Sequence, residues 1–219
     1  MLNIGNVFIL GDSYSTFEGC IPQGYHSWYF TEPENNTDVT NKAQTWWYKL
    51  TENTDSVLIR NESYSGTTIC NTGYEGSYCP ETSFIGRFDR LCSEGFFKEN
   101  TVDTFFVFGG TNDSWANSPV GEVKTENLDC ESLKSTLPAF SYLLKAIKKN
   151  LPKADTVVII NNAEIKEEIT NGIVKLCELY CVSYIKLNGI SRQSGHPDIT
   201  GMEQIFNSVY GFLDSRAGL

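Results

Sequence analysis

The chain has 219 residues, enough for one α/β domain with a substantial core and short for two. Its 40% hydrophobic and 20% charged residues are those of a soluble globular protein, and a net charge of −10 leaves no basic stripe for phosphates, which excludes nucleic acid as a partner. No apolar run is long enough to span a bilayer.

Val7–Leu10 reads as a first strand, ending in Gly11-Asp12-Ser13-Tyr14-Ser15. Met1 runs almost directly into it without a signal peptide, so the expectation is a cytoplasmic protein, although a chain trimmed of its signal would read the same. Phe17–Lys42, with its Pro, Gly, Asn and Thr, is a long loop. Thr45–Leu50 is a weak helical candidate, Val57–Arg60 a second strand leading to Asn61-Glu62-Ser63-Tyr64-Ser65-Gly66-Thr67. Asn71–Pro80 is a Gly- and Tyr-rich loop, and Thr82–Cys92 a second weak helix.

Thr104–Phe108 and Thr156–Ile160 are near-continuous apolar runs, as expected of strands buried on two faces; the first leads to Gly109-Gly110-Thr111-Asn112-Asp113. Between them Leu137, Phe140, Leu144, Ile147 and Leu151 form a helical stripe with Pro138 in its first turn. The lysines at 145, 148, 149 and 153 then complement that helix's C-terminal dipole. Ile165, Ile169, Ile173, Leu176 and Tyr180 form the next stripe, and Val182–Leu187 a fifth strand. Gly195-His196-Pro197-Asp198 precedes a last helix carrying Met202, Ile205, Val209 and Phe212, with Pro197 expected at its first position.

The alternation predicts a single domain over 1–219: a three-layer α/β/α sandwich around a flavodoxin-like, parallel five-stranded sheet. Seven cysteines are an odd number without paired CxxC spacing, so no zinc site is expected. The thiols read as free, with Cys70–Cys79 a bridge only in an exported protein. Cys177 and Cys181 fall four apart on one predicted helix.

Taken singly, the strand-end motifs are weak. Gly-Asp-Ser suits any strand-to-turn junction and is not the GxSxG elbow, Gly66 and Asn112 suit turns, and His196 suits a helix start. Taken together, a Ser, a Gly, an Asn and a His follow successive elements in that order, and the chain resembles the SGNH (GDSL-like) hydrolases over nearly its whole length.

The resemblance implies an SGNH hydrolase fold and a serine esterase that needs no cofactor or metal. Ser13 would attack the ester carbonyl, with His196 as base; the N–H groups of Ser13 and Gly66 and the Asn112 amide would hold the oxyanion. Asp12 would fix the turn rather than react, and His26, the only other histidine, would lie at the pocket or surface.

One position departs from the family pattern. Gln193 stands three residues before His196, where the family usually has Asp. Three readings stay open: Gln193 orients the imidazole, a main-chain carbonyl does, or activity is weakened. In the serine-protease template, neutralising the acid costs about 10⁴ in turnover.

Tyr14, Tyr64 and Trp28 flank the motifs as candidate sugar-stacking residues, pointing to small acyl groups on a glycan or other small-molecule ester. The alternatives are a lysophospholipase or thioesterase, or a catalytically weakened carbohydrate-binding module. The oligomeric state is not written in the sequence.

Overall fold

A computed structural model describes residues 2–32 and 34–217. Five parallel strands, β1 (Leu2–Gly11), β2 (Thr54–Ser63), β3 (Thr104–Phe108), β4 (Asp155–Ile160) and β5 (Ser183–Lys186), form one sheet in the order β2-β1-β3-β4-β5. This is the flavodoxin-like order, with β3 central and a topological switch point between β1 and β3.

Side chains alternate across each strand, and both faces are covered. Phe8, Leu10, Phe105, Val107, Val158 and Ile160 point to one core, against α2 (Phe84–Ser93), α5 (Thr136–Asn150) and α6 (Glu167–Tyr180). Val7, Ile9, Phe106, Phe108, Val157 and Ile159 point to the other, against α1 (Trp46–Asn53) and α7 (Ile199–Ala217). Two buried faces explain why these strands are continuous apolar runs rather than alternating ones.

Register decides where the chemistry falls. Gly11 at the end of β1 pairs with Ser63 of β2 and Phe108 of β3, so three strands finish level and their following residues share one edge of the sheet. Arg87 of α2, fully buried, locks that edge by donating to the carbonyls of Glu62 and Gly11 and to Thr67 Oγ1. Burial lowers its pKa to about 10, against the attraction of Glu62, so it stays charged at neutral pH.

The predicted strands and long helices are all present, several with longer bounds. Three short features lie between them: α3 (Phe96–Glu99), α4 (Thr111–Trp115), and an antiparallel ribbon of β6 (Arg192–Gln193) and β7 (His196–Pro197). Pro197 therefore lies in the ribbon rather than at the first position of α7. Asp198 starts that helix instead, its Oδ1 accepting from Gly201 N at 2.7 Å.

Cys181 is not in the helix with Cys177 but closes it in the left-handed region, φ 52°. All seven cysteines, Cys70 and Cys79 included, are free thiols. No helix among the described residues is long and apolar enough to cross a membrane.

Candidate active site

Ser13 opens a 3-10 turn, Ser13–Ser15, at the carboxyl end of β1. The turn is held by Asp12, whose Oδ1 accepts from Tyr14 N at 3.1 Å, and by Thr16 Oγ1, which donates to Ser13 O at 2.9 Å. Backbone N–H groups at the start of such a turn have no partner within it, which leaves the Ser13 N–H free to serve a ligand. Burial raises the Asp12 carboxyl to about 7, with Tyr14 N–H and Arg87 opposing, and its geometry is that of a turn-fixing group.

His196 comes from the far end of the chain. Residues 194 and 195 both have positive φ, 51° and 79°, and join Gln193 to His196 as a two-residue reversal of the type I′ kind. This hairpin brings His196 Nε2 to 2.8 Å from Ser13 Oγ and turns the Ser194 carbonyl to 3.2 Å from His196 Nδ1. A carbonyl oxygen can only accept, so it fixes the proton on Nδ1 and leaves Nε2 to accept from Ser13. Burial lowers the imidazole pKa to about 4, with the Ser194 carbonyl opposing, so the ring is neutral at pH 7.

Gln193 is not the partner of this ring. Its Nε2 donates to Asn36 Oδ1 at 3.3 Å, while the Ser194 carbonyl occupies Nδ1. The main-chain carbonyl is thus the group in contact. Gln193→Ala is expected to change kcat by less than about twofold, because only an exposed hydrogen bond is lost; esterase kinetics on the variant check it.

Gly66 and Asn112 lie on the same edge. Gly66 is exposed, with φ +78°, a conformation L side chains rarely adopt. Gly110, at φ +96°, precedes α4 and lets the chain turn so that Asn112 enters its first turn. Asn112 is buried; its Oδ1 accepts from Tyr74 OH at 2.8 Å, while its Nδ2 has no partner among the described residues. A buried amide donor without an acceptor costs roughly 1–3 kcal/mol, and such a group calls for a functional reason. Asp113 accepts from Ile69 N and Cys70 N at 2.8 and 3.2 Å, tying the loop after Gly66 to the segment that carries Asn112.

The family model for GDSL-like lipase/acylhydrolase matches residues 5–213. The chain belongs to that family. It is a GDSL-like, ester-cleaving hydrolase, with the serine nucleophile and oxyanion hole inherent to the family.

A Bacteroides ovatus protein assigned to the GDSL-like lipases is 40% identical, with TM-score 0.89 over 98% of this chain and 99% of its own. A Bacteroides uniformis protein of the same assignment is 39% identical, with TM-score 0.89 over 96% and 95%. An acetyl xylan esterase from Butyrivibrio proteoclasticus shares the fold at 17% identity, with TM-score 0.61 over 100% of this chain and 65% of its own. Comparison with curated protein sequences gives no match.

The three aromatic candidates fare differently in this GDSL-like hydrolase. Tyr14 is corrected: it is 1% exposed, its OH donating to Gly195 O and accepting from Asn161 Nδ2, so it braces the hairpin and has no face for a sugar. The 3-10 turn drives its ring inward against Phe108. Trp28 has its indole stacked on His196, centroids 3.5 Å apart and planes 9° apart, so that face is occupied. Tyr64 is half-buried and stacks on Tyr25 at 4.4 Å.

His26 is exposed, its ring 5.8 Å from that of Tyr64. Sequence reasoning missed Tyr74, which holds Asn112, and Trp115, whose ring meets His196 edge-on at 5.8 Å.

Proposed function

We propose that the protein hydrolyses esters of small acyl groups, acetyl on carbohydrate first among them, through a Ser13 acyl-enzyme. The observation that carries this is the 2.8 Å contact between Ser13 Oγ and a His196 ring kept neutral by burial. His196 Nε2 takes the Ser13 proton as Oγ adds to the ester carbonyl, and the negative oxygen settles between the N–H groups of Ser13 and Gly66 and Asn112 Nδ2. The alcohol leaves with the proton from Nε2, and water then repeats the sequence on the acyl-enzyme.

Tyr74 and Tyr78, 42% and 60% exposed on the loop that holds Asn112, support a glycan as the alcohol part. Tyr64 offers a further aromatic edge. Each is an amphipathic ring of the sort that packs on sugar faces while its hydroxyl remains wet.

A fluorophosphonate probe should label Ser13, mapped by mass spectrometry, and the enzyme should release acetate from acetylated xylan or acetylated glucosides. Turnover of p-nitrophenyl octanoate about tenfold above the acetate would overturn the small-acyl reading in favour of a lysophospholipase or thioesterase.

The pH dependence follows from the depressed imidazole. A free histidine takes up its proton near 6.5, His196 only near 4. The base therefore remains available as pH falls through 6, and the acid limb of kcat/KM is expected near pH 4. A limb near 6.5 would show that burial does not hold the ring neutral in the free enzyme.

A further inference from the structure

We propose that Trp28 is a positioning residue that stabilises the protonated His196 ring through its indole face, in the role a carboxylate plays elsewhere. The proposal rests on the reading of His196 as base. When His196 takes the Ser13 proton it becomes a cation, and its two hydrogen-bond partners, Ser13 Oγ and Ser194 O, bring no full negative charge. The indole lies parallel to the imidazole, 3.5 Å between centroids and 9° between planes. A tryptophan face is the most electron-rich of the aromatic faces, and it attracts a cation stacked on it.

The acidic groups that act on the neighbouring Tyr14 and Tyr29 are bonded elsewhere. Glu164 pairs with Arg192 and accepts from Trp115 Nε1; Asp198 is bonded to Ser191 Oγ and Gly201 N; Asp38 accepts from Ile199 N; Asp12 accepts from Tyr14 N. Two further aromatic rings lie near the imidazole, Tyr14 at 5.4 Å and Trp115 at 5.8 Å. With Trp28, three aromatic rings flank the place where positive charge develops.

The segment carrying Trp28 is fastened to both reacting residues. Trp28 N donates to Thr16 Oγ1 at 2.9 Å, and the same hydroxyl donates to Ser13 O. The next residue, the fully buried Tyr29, donates from its OH to Pro197 O at 2.8 Å, beside His196. Asn35 Nδ2 donates to Trp28 O at 2.8 Å. The stack is therefore held from the nucleophile's turn and from the histidine's ribbon together, as a fixed interaction requires.

The test is a series of fluorinated tryptophans placed at position 28, which withdraw electron density from the face while nearly keeping shape and burial. Trp28→Phe and Trp28→Leu accompany them, and thermal melts verify the fold. Expected is a graded fall in kcat, about 10-fold for tetrafluorotryptophan and Trp28→Leu and roughly 3-fold for Trp28→Phe, with KM unchanged.

The acid limb should move to lower pH as fluorine is added, because the imidazolium loses support. A flat kcat and an unmoved limb across the series would overturn the proposal, as would a rise in KM alone, which would make Trp28 a substrate platform. His196→Ala separates the two readings: full activity there removes the base itself, whatever the fluorine series gives.

Discussion

Alanine at Ser13, at His196, or at both lowers kcat for p-nitrophenyl acetate by about 10⁴ in all three variants. The equality is the informative part. In the proposed mechanism nucleophile and base act in one event, the proton passing along the 2.8 Å contact as Oγ adds to the carbonyl, so removing either removes the step. The second substitution then has nothing left to take away.

The size of the loss is set below that of a full triad, since among the described residues His196 Nδ1 meets the Ser194 carbonyl and no carboxylate, and the starting rate lacks that contribution. Residual hydrolysis should remain above the uncatalysed rate, because the oxyanion donors and substrate binding survive. Single-turnover kinetics with mass spectrometry of the acyl-enzyme check this. A Ser13→Ala variant that still accumulated an acylated protein would sink the assignment of the nucleophile.

The places of the candidate residues Ser13, Gly66 and Asn112 were legible because they depend on strand ends. Continuous apolar runs mark the buried strands, and whatever follows a parallel strand lies at the carboxyl edge of the sheet. Ser13, Gly66 and Asn112 could be placed on that edge from pattern alone, and the register at Gly11, Ser63 and Phe108 does bring their strand ends level. The layers were legible for the same reason: continuous apolar strands need cover on both faces, and the helical stripes supply it.

What surrounds His196 was not legible, because it depends on turns. The Ser194-Gly195 pair is a turn signal, but the residue types do not say that the turn closes a hairpin and places a carbonyl on the imidazole. Composition likewise hid the loop from 17 to 42. Its Pro, Gly and Asn content says irregular, and it is, but Tyr29 and Val39 within it are fully buried, so it is packed rather than free. An aromatic beside a motif could face solvent, substrate or core. Tyr14 faces the core and Trp28 faces the histidine, and only tertiary packing separates these outcomes.

Asn112→Ala is expected to lower kcat by about 10²–10³ with little change in KM, a barrier increase of roughly 3–4 kcal/mol. The donor at stake is Nδ2, buried and without a partner among the described residues, while Tyr74 OH occupies Oδ1 and fixes which way the amide points. A substrate carbonyl gains little from such a donor, whereas the alkoxide of the tetrahedral intermediate gains much, and that difference directs the loss to kcat.

Stability should move the opposite way or not at all. The alanine variant removes a buried donor that lacked an acceptor, and the hydroxyl it strands belongs to Tyr74, which is 42% exposed and can turn to water. Asn112→Asp is the sharper control: the same shape presents an acceptor or a negative charge to the oxyanion, and its kcat should fall below that of Asn112→Ala. Melting curves and steady-state kinetics on the pair decide it. An Asn112→Ala enzyme with kcat near wild type would return Asn112 to the role of a turn residue and leave the oxyanion to the two backbone N–H groups.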